Sequence, residues 1–212
     1  MRRTADPERA LRAVTRVLDP ADGHDAVRRS AAAALRGQLD YDVAVWATLD
    51  PLTAMWTSCV LDGMERDPAL EAGVFANEYG QRDVLKLVDL ARTGRSATAV
   101  GATHGAVATS ARHRELLGPA GVTDELRVVL TDGTTPWGAL LLLRSGGAFD
   151  DDDRRCVDAM ARPVALALRS ALVRSGAPGA ADEVPPSSAG LVLCGPDGAV
   201  RALTDEARAL LG

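Results

Sequence analysis

Two short apolar runs separated by a polar turn form the clearest pattern in this chain. Leu126–Leu130 and Ala139–Leu143 have the length of strands, and Thr131–Pro136 between them is rich in turn-forming residues. This pattern predicts a β-hairpin. After the acidic stretch Phe149–Asp153, apolar residues recur at helical spacing, so we predict a long amphipathic helix over 151–173.

The predicted C-terminal helix has one apolar stripe and an acidic start. The stripe consists of Val157, Met160, Ala161, Val164, Leu168 and Leu172. Aspartates at the start suit the positive end of the helix dipole, with Asp150 as the cap and Phe149 as a staple residue ahead of it. Pro163 removes one backbone N–H, and we expect it to bend the helix near its middle.

The first part of the chain predicts two helices and a pair of strands. Residues 6–18 form a helix capped by Asp6, with an apolar face made of Leu11, Val14 and Leu18. An alanine-rich helix follows at about 24–38. Tyr41–Leu49 is apolar on both faces, which is typical of a central strand, and Ala54–Val60 is its expected hairpin partner.

Weaker patterns fill the rest of the chain. We predict helices at about 68–79 and 82–92, a short strand at about 96–100, a small-residue loop at Gly101–Val107, and a helix from Thr109 or Ser110 to Leu117. Ser175–Ser188 has the composition of a linker. Beyond it, Leu191–Cys194 and Ala199–Leu203 predict a second hairpin, followed by a short helix at Asp205–Leu211.

Composition excludes several classes of function. The net charge of −5 argues against direct nucleic-acid binding by this chain, because phosphate contacts require a basic surface. Cys59, Cys156 and Cys194 are widely spaced and form no zinc-ligand pattern, and no apolar run has the length of a membrane span. The usual nucleotide, hydrolase and metalloprotease motifs are missing. We therefore expect a cytoplasmic, non-enzymatic protein without a metal or cofactor.

The hairpin, the acidic cap and the terminal helix, in this order, resemble the C-terminal half of a GAF domain. More narrowly, they resemble the GAF-type sensor region upstream of LuxR-type helix-turn-helix DNA-binding domains in bacterial regulators. The resemblance covers about residues 5–174 and is strongest over 109–172. There Thr109–Leu117 leads into Asp124–Arg127, and Trp137-Gly138 begins the second hairpin strand.

The resemblance implies an α/β fold with a central antiparallel sheet. Terminal helices lie on one face, and crossing helices and loops lie on the other. Three parts of the chain are then expected: a GAF-like sensor domain (1–174), a linker (175–189) and a segment (190–212) similar to the opening of a PAS domain. This last segment alone is too short to bury a core.

The resemblance also implies a ligand pocket between one sheet face and the elements that cross it. The candidate pocket residues are Trp46, Trp56, Phe75, Tyr79, His104, Arg127 and Trp137. Each aromatic residue has an alternative as ordinary core, and His104 as a solvated loop residue. Arg127 is expected to hold an anionic ligand, to lie at the wet face of the sheet, or to pair with Glu125 or Asp124. The motifs of cyclic-nucleotide-binding and bilin-binding GAF domains are missing from the sequence.

Three functions remain open at this point. The first is a sensory module that binds an unknown small molecule or partner and signals through its C-terminal helix to a downstream DNA-binding domain. The second is a dimerisation or protein-interaction module with a filled interior, and the third is a thiol-based reductase that uses Cys59. By resemblance we expect a homodimer, with candidate dimer or signalling residues Leu11, Val14, Leu18, Val157, Met160, Val164 and Leu168.

Overall fold

The computed structural model describes residues 5–93, 97–99, 109–175, 192–194 and 199–211. The chain divides into two units, Met1–Val173 and Arg174–Gly212. Within the described residues, no helix combines the length and the apolar character needed to cross a membrane.

The elements up to residue 175 alternate between helices and antiparallel strands. They are α1 (Pro7–Val17), α2 (His24–Arg36), β1 (Val43–Leu49), β2 (Trp56–Asp62), α3 (Pro68–Gly80), α4 (Leu87–Thr93), β3 (Ala97–Ala99), a π-helical turn (His113–Leu117), β4 (Asp124–Thr131), β5 (Pro136–Arg144) and α5 (Asp151–Ser175). The short strand predicted at 96–100 and the long terminal helix are therefore both present.

The five strands form one sheet in the order β2-β1-β5-β4-β3, and all neighbours are antiparallel. β4 and β5 are the predicted hairpin, with Glu125 opposite Leu143 and Leu130 opposite Gly138. β1 lies between β2 and β5, so that Trp46 faces Val60 on one side and Leu140 on the other.

Helices α1, α2 and α5 cover one face of the sheet. Alternate strand residues point into the core between them, including Trp46, Leu126 and Leu140. The helices contribute the buried side chains Val14, Leu35, Val157, Met160, Val164 and Leu168. The opposite face carries a smaller core, in which Leu87 and Leu90 of α4 pack against Val129 and Leu141. This arrangement confirms the predicted fold class.

Side-chain caps fix the starts of the two terminal helices. The Asp6 carboxylate accepts hydrogen bonds from the Glu8 and Arg9 N–H groups at 3.0 and 3.1 Å. At α5, the Asp150 carboxylate accepts from the Asp152 and Asp153 N–H groups at 3.0 and 2.9 Å. Both predicted caps are confirmed.

α5 continues through Pro163, and Phe149 ahead of it is buried. The predicted helix is therefore confirmed, and Phe149 is buried as a staple residue would be.

Several predicted boundaries were wrong. α4 begins at Leu87 and not at 82, because Leu85 has a left-handed backbone (φ 55°) that a helix cannot contain. β2 begins at Trp56 and not at Ala54, whose φ is 57°. On α1 the buried face is formed by Ala10 and Val14, while Leu11 is 39% exposed.

The second unit contains a short hairpin and a helix. β6 (Val192–Cys194) pairs with β7 (Val200–Leu203), and α6 (Asp205–Leu211) follows. The Thr204 hydroxyl accepts a hydrogen bond from the Ala207 N–H at 3.3 Å, which caps this helix. The two predicted strands and the helix are therefore present, while the predicted turn between the strands lies outside the described residues. The predicted linker, apart from Ser175 at the end of α5, lies outside the described residues.

Candidate ligand cavity

A cavity of about 240 Å³ lies between α3 and the sheet face opposite the terminal helices. Val45 pairs with Leu61 on β2 and with Leu141 on β5, and residues paired in this way point to the same face. Strand alternation therefore builds the apolar base of the cavity. The apolar lining includes Val45, Leu61, Val74, Leu117, Leu141 and Leu143.

Two aromatic side chains form part of the cavity wall. The rings of Trp56 and Phe75 lie 5.7 Å apart between centroids at an interplanar angle of 86°, an edge-to-face contact. Tyr79 lies one helical turn beyond Phe75, with ring centroids 4.9 Å apart. The Tyr79 hydroxyl accepts a hydrogen bond from the backbone N–H of Trp56 at 2.8 Å, so that Tyr79 positions the start of β2. Burial raises the pKa of Tyr79 to about 12, and the phenol stays protonated.

Three charged residues at the start of α3 also line the cavity, and we call them the cavity mouth: Arg66, Asp67 and Glu71. The Arg66 guanidinium forms two hydrogen bonds to the Glu71 carboxylate, at 2.8 and 3.0 Å. Asp67 caps α3 by accepting from the Ala69 and Leu70 N–H groups at 3.0 and 3.2 Å. The mouth therefore carries one cation, already paired, and two carboxylates.

Cys59 is a thiol in the cavity wall. Strand pairing places it opposite Ala47, on the cavity face of the sheet, and Arg66 approaches its Sγ at 3.9 Å. Burial raises the pKa of Cys59, and the nearby Arg66 charge offsets this only in part. The side chain is therefore a neutral thiol at physiological pH, and a weak nucleophile.

An ion pair between the buried side chains of Arg112 and Glu125 also lines the cavity, and we call this pair the cavity floor. Nε and one terminal nitrogen of Arg112 donate to Glu125 Oε2 at 3.0 and 2.8 Å. The other terminal nitrogen donates to Asn77 Oδ1 at 3.2 Å. Both charged side chains are almost completely buried.

Behind the floor a second arginine extends the ion pairs. Arg127 donates to Glu78 Oε2 and to the Leu85 carbonyl, both at 2.7 Å, and its Nε lies 3.5 Å from Glu125 Oε1. Glu78 also accepts from the N–H of Leu87, the first residue of α4, at 2.7 Å. Burial alone lowers the pKa of Arg127, but Glu125 and Glu78 outweigh burial and raise it, so the guanidinium stays charged.

Asp83 connects these ion pairs to the segment before the π-helical turn through hydrogen bonds. Its carboxylate accepts from the Arg112 N–H at 2.7 Å, from the Asn77 amide at 2.8 Å and from the Ser110 hydroxyl at 3.2 Å. Burial raises the pKa of Asp83, yet these hydrogen bonds outweigh burial and hold the pKa below its usual value. We call these five charged residues the buried ionic network: Glu78, Asp83, Arg112, Glu125 and Arg127.

The structure brings together only some of the predicted pocket residues. Trp56 and Phe75 line the cavity, and Tyr79 is hydrogen-bonded to the backbone of Trp56. Arg127 lies on the same sheet face but is fully buried, and its guanidinium is paired with Glu78 and with Glu125, the second of which the sequence offered as a partner. His104 lies outside the described residues.

The other two tryptophans are placed away from the cavity. Trp46 is buried in the core beneath the terminal helices. Trp137 packs against the same core, and its indole N–H donates to Asp132 at 3.0 Å. The Arg169 guanidinium of α5 lies 5.8 Å from the centre of the Trp137 ring. These two aromatic residues hold the hairpin and the helices together.

Sequence reasoning missed the floor and all three residues of the mouth. One signal for the floor was present, because Glu125 and Arg127 alternate with Leu126 and Val128 and so share the face opposite the helix core. No comparable signal marked Arg112. Among the described residues, no group of three or more His, Cys, Asp or Glu side chains is arranged to hold a metal ion.

Comparison with solved structures identifies the fold. The chain is similar to the phycocyanobilin-bound GAF domain of a cyanobacterial phytochrome, with a TM-score of 0.56 and 15% identity over 81% of this chain and 98% of that one. It is also similar to the GAF domain of a phosphoenolpyruvate-protein phosphotransferase from Coxiella burnetii, with a TM-score of 0.56 and 12% identity over 82% of this chain and 100% of that one.

A GAF domain/HD domain protein from Geobacter sulfurreducens is similar too, with a TM-score of 0.52 and 17% identity over 76% of this chain and 98% of that one. No family model matches the sequence, and neither does any curated protein. The chain therefore has the GAF fold, as the sequence predicted.

Proposed function

We propose that this chain is a sensory module that binds a small molecule in the cavity under α3. The observation that carries the proposal is the cavity itself, about 240 Å³ of apolar-walled space on one face of a GAF-fold sheet. Concave, mostly apolar sites with a few polar groups are the usual form of small-molecule sites. The bilin bound by one structural neighbour supports a sensory role by analogy of fold.

The sheet offers a physical route from the cavity to the terminal helix. Glu125 of β4 lies at the cavity floor, and the next residue, Leu126, points into the core that α5 fills. A ligand that biases the position of β4 therefore biases the packing of α5. We propose that α5 carries this change to a downstream effector, of which a LuxR-type DNA-binding domain is our specific expectation.

Two other functions are less well supported. An interaction module with a filled interior requires the space under α3 to be occupied by side chains, whereas Met64 and the aromatic residues only line it. A thiol reductase requires reactive thiols, but burial raises the pKa of Cys59 and raises that of Cys156 to about 11. Cys156 also lies in the opposite core. We therefore propose a non-enzymatic role.

Native mass spectrometry tests this function. Protein recovered from bacterial extract should carry a stoichiometric extra mass that denaturation removes. Val74→Trp, which places a large ring in the cavity, should lose that mass while it keeps the wild-type circular dichroism spectrum. Ala76→Trp adds the same ring to an exposed position of α3 and is the matched control.

A bound mass that survives in Val74→Trp contradicts the assignment of the cavity. A wild-type protein that never acquires an extra mass contradicts the sensory function itself.

A further inference from the structure

We propose that the cavity selects small aromatic or aliphatic molecules that carry a positive charge, and that it rejects anions of the same size. This inference rests on the proposed function and names the ligand class of the same cavity. It follows from the size of the cavity, from the pairing of its cations and from the position of its aromatic wall.

Size limits the ligand to a small molecule. A cavity of about 150 Å³ is enough to bind benzene. By the same ratio, the 240 Å³ found here holds on the order of ten non-hydrogen atoms. A ligand of this size has room for one ring or a short branched chain and one polar group.

The cations at the cavity are already paired. Arg66 at the mouth is held by Glu71 through two hydrogen bonds, and Arg112 at the floor is held by Glu125 through two more. An entering anion must therefore break an existing ion pair or remain without a partner in a largely apolar space. Both alternatives cost free energy, because a desolvated charge without a partner is strongly unfavourable.

Carboxylates outnumber guanidinium groups around the cavity. The lining contains three carboxylates, from Asp67, Glu71 and Glu125, against the two guanidinium groups. The residues of the buried ionic network behind the floor add two carboxylates, from Glu78 and Asp83, and only one guanidinium group. The local field therefore favours a positive ligand over a negative one.

The aromatic wall and the mouth carboxylates lie on the same helix. Glu71 and Phe75 are one turn apart on α3, Asp67 caps that helix, and Phe75 contacts Trp56. Aromatic faces attract cations, and nearby carboxylates strengthen that attraction. The arrangement places the charged group of a ligand toward the mouth and its apolar body against the sheet.

Three probes of equal size test this ligand class: benzamidine, benzamide and benzoate. They share a phenyl ring and the same number of non-hydrogen atoms, but they are cationic, neutral and anionic. Because Cys59 lines the cavity, protection of its thiol from iodoacetamide reports occupancy, read by peptide mass spectrometry. Benzamidine should protect Cys59 at a concentration roughly tenfold lower than benzamide, and benzoate should not protect it.

A matched pair of variants assigns the selectivity to the mouth. Glu71→Gln removes one carboxylate and releases Arg66, so benzoate should gain protection and benzamidine should lose its advantage. Glu65→Gln makes the same charge change in the segment before α3 but lies outside the cavity lining, and it should keep the wild-type order. The Arg66–Glu71 pair is exposed, so its loss should not unfold the protein.

The outcomes separate this inference from the function on which it rests. If benzoate protects the wild-type thiol as well as benzamidine does, the ligand class is wrong, while the cavity stands as a binding site. If none of the three probes protects Cys59, both proposals are overturned.

Discussion

Arg127 is fully buried, and its guanidinium contacts groups from three parts of the chain. Glu78 belongs to α3, the Leu85 carbonyl to the segment before α4, and Glu125 to the same strand as the arginine. Burying a guanidinium is costly, and the fold offsets that cost only while every partner is in place. The residue therefore links three segments of the chain, and its removal leaves the Glu78 carboxylate buried without its cation.

Arg127→Met should destabilise the protein by about 3–5 kcal/mol, because it keeps the volume of the side chain but leaves Glu78 buried without its cation and Glu125 with Arg112 alone. Urea unfolding followed by circular dichroism measures this free energy. Arg155→Met removes an arginine whose ion pair with Asp152 is exposed, and it should cost no more than about 1 kcal/mol. Equal effects of the two variants would contradict the structural role of the network.

Because the pKa of Asp83 is lowered in the folded state, part of the free energy of unfolding is lost at acid pH. The folded state holds this carboxyl ionised more strongly than the unfolded state does. Its stabilising contribution is therefore complete above the usual carboxyl pKa and is lost as the pH falls through the lowered, folded-state pKa.

Asp83→Asn removes this titration. The variant should be less stable than the wild type at neutral pH, and its stability should fall less steeply between about pH 5 and pH 2. Unfolding in urea at a series of pH values gives both curves, with Asp89→Asn, an exposed carboxylate of α4, as the control. Parallel curves for wild type and Asp83→Asn would contradict the contribution of Asp83.

At the level of elements, local rules explain what the sequence could predict. The β4–β5 hairpin, the Asp6 and Asp150 caps and the stripe of α5 each depend on residues close together in the chain. The starts of β2 and α4 were misplaced because Ala54 and Leu85 adopt left-handed backbone conformations that nothing in their residue type indicates.

The candidate site was predictable only in part, because local sequence patterns do not show which distant residues meet in the fold. Trp56 and Phe75 were found because aromatic residues on a strand and on a crossing helix are few in this chain. The Arg112–Glu125 pair joins residues from separate elements, and only the folded sheet shows that they meet. Arg127 was recognised as unusual, but its partner Glu78 lies 49 residues away, beyond any local pattern.

The start of α5 depends on a reciprocal cap, because the Asp150 N–H also donates to the Asp153 carboxylate at 3.1 Å. Asp150→Ala should lower the free energy of unfolding by about 1 kcal/mol, since the Asp152 and Asp153 N–H groups lose their acceptor. Asp150→Asn keeps an acceptor oxygen and should lose much less. Thermal unfolding ranks the two variants, and an alanine variant as stable as the asparagine variant would contradict the cap.

For the whole molecule, side chains that are buried in the core of one chain cannot form a dimer interface. Of the residues expected at a dimer interface, Val14 and four on α5 are buried inside one chain: Val157, Met160, Val164 and Leu168. Leu18 is also partly buried against this core. The five buried side chains therefore have no surface to offer a partner. On α1 and α5, apolar exposure is found instead at Leu11, Val17, Leu166 and Val173.

We propose that a homodimer of this chain uses the outer faces of α1 and α5. Leu166 is 41% exposed and Val173 is 60% exposed, and their spacing of seven residues places them on one face of the helix. Leu11 of α1 offers a further apolar side chain from the same layer of helices. Pairing of such faces across a two-fold axis would bury all of these side chains twice.

Leu166→Glu should convert the dimer to a monomer, because pairing across the two-fold axis would bury two new carboxylates without partners. Size-exclusion chromatography with light scattering measures the mass directly. Leu52→Glu makes the same change at a residue that is 93% exposed between β1 and β2, far in sequence from both helices, and it should leave the mass of the assembly unchanged. A wild-type protein that stays monomeric at every concentration contradicts the dimer. A dimer that survives in Leu166→Glu but dissociates in Leu52→Glu moves the interface from the helices to the β1–β2 turn.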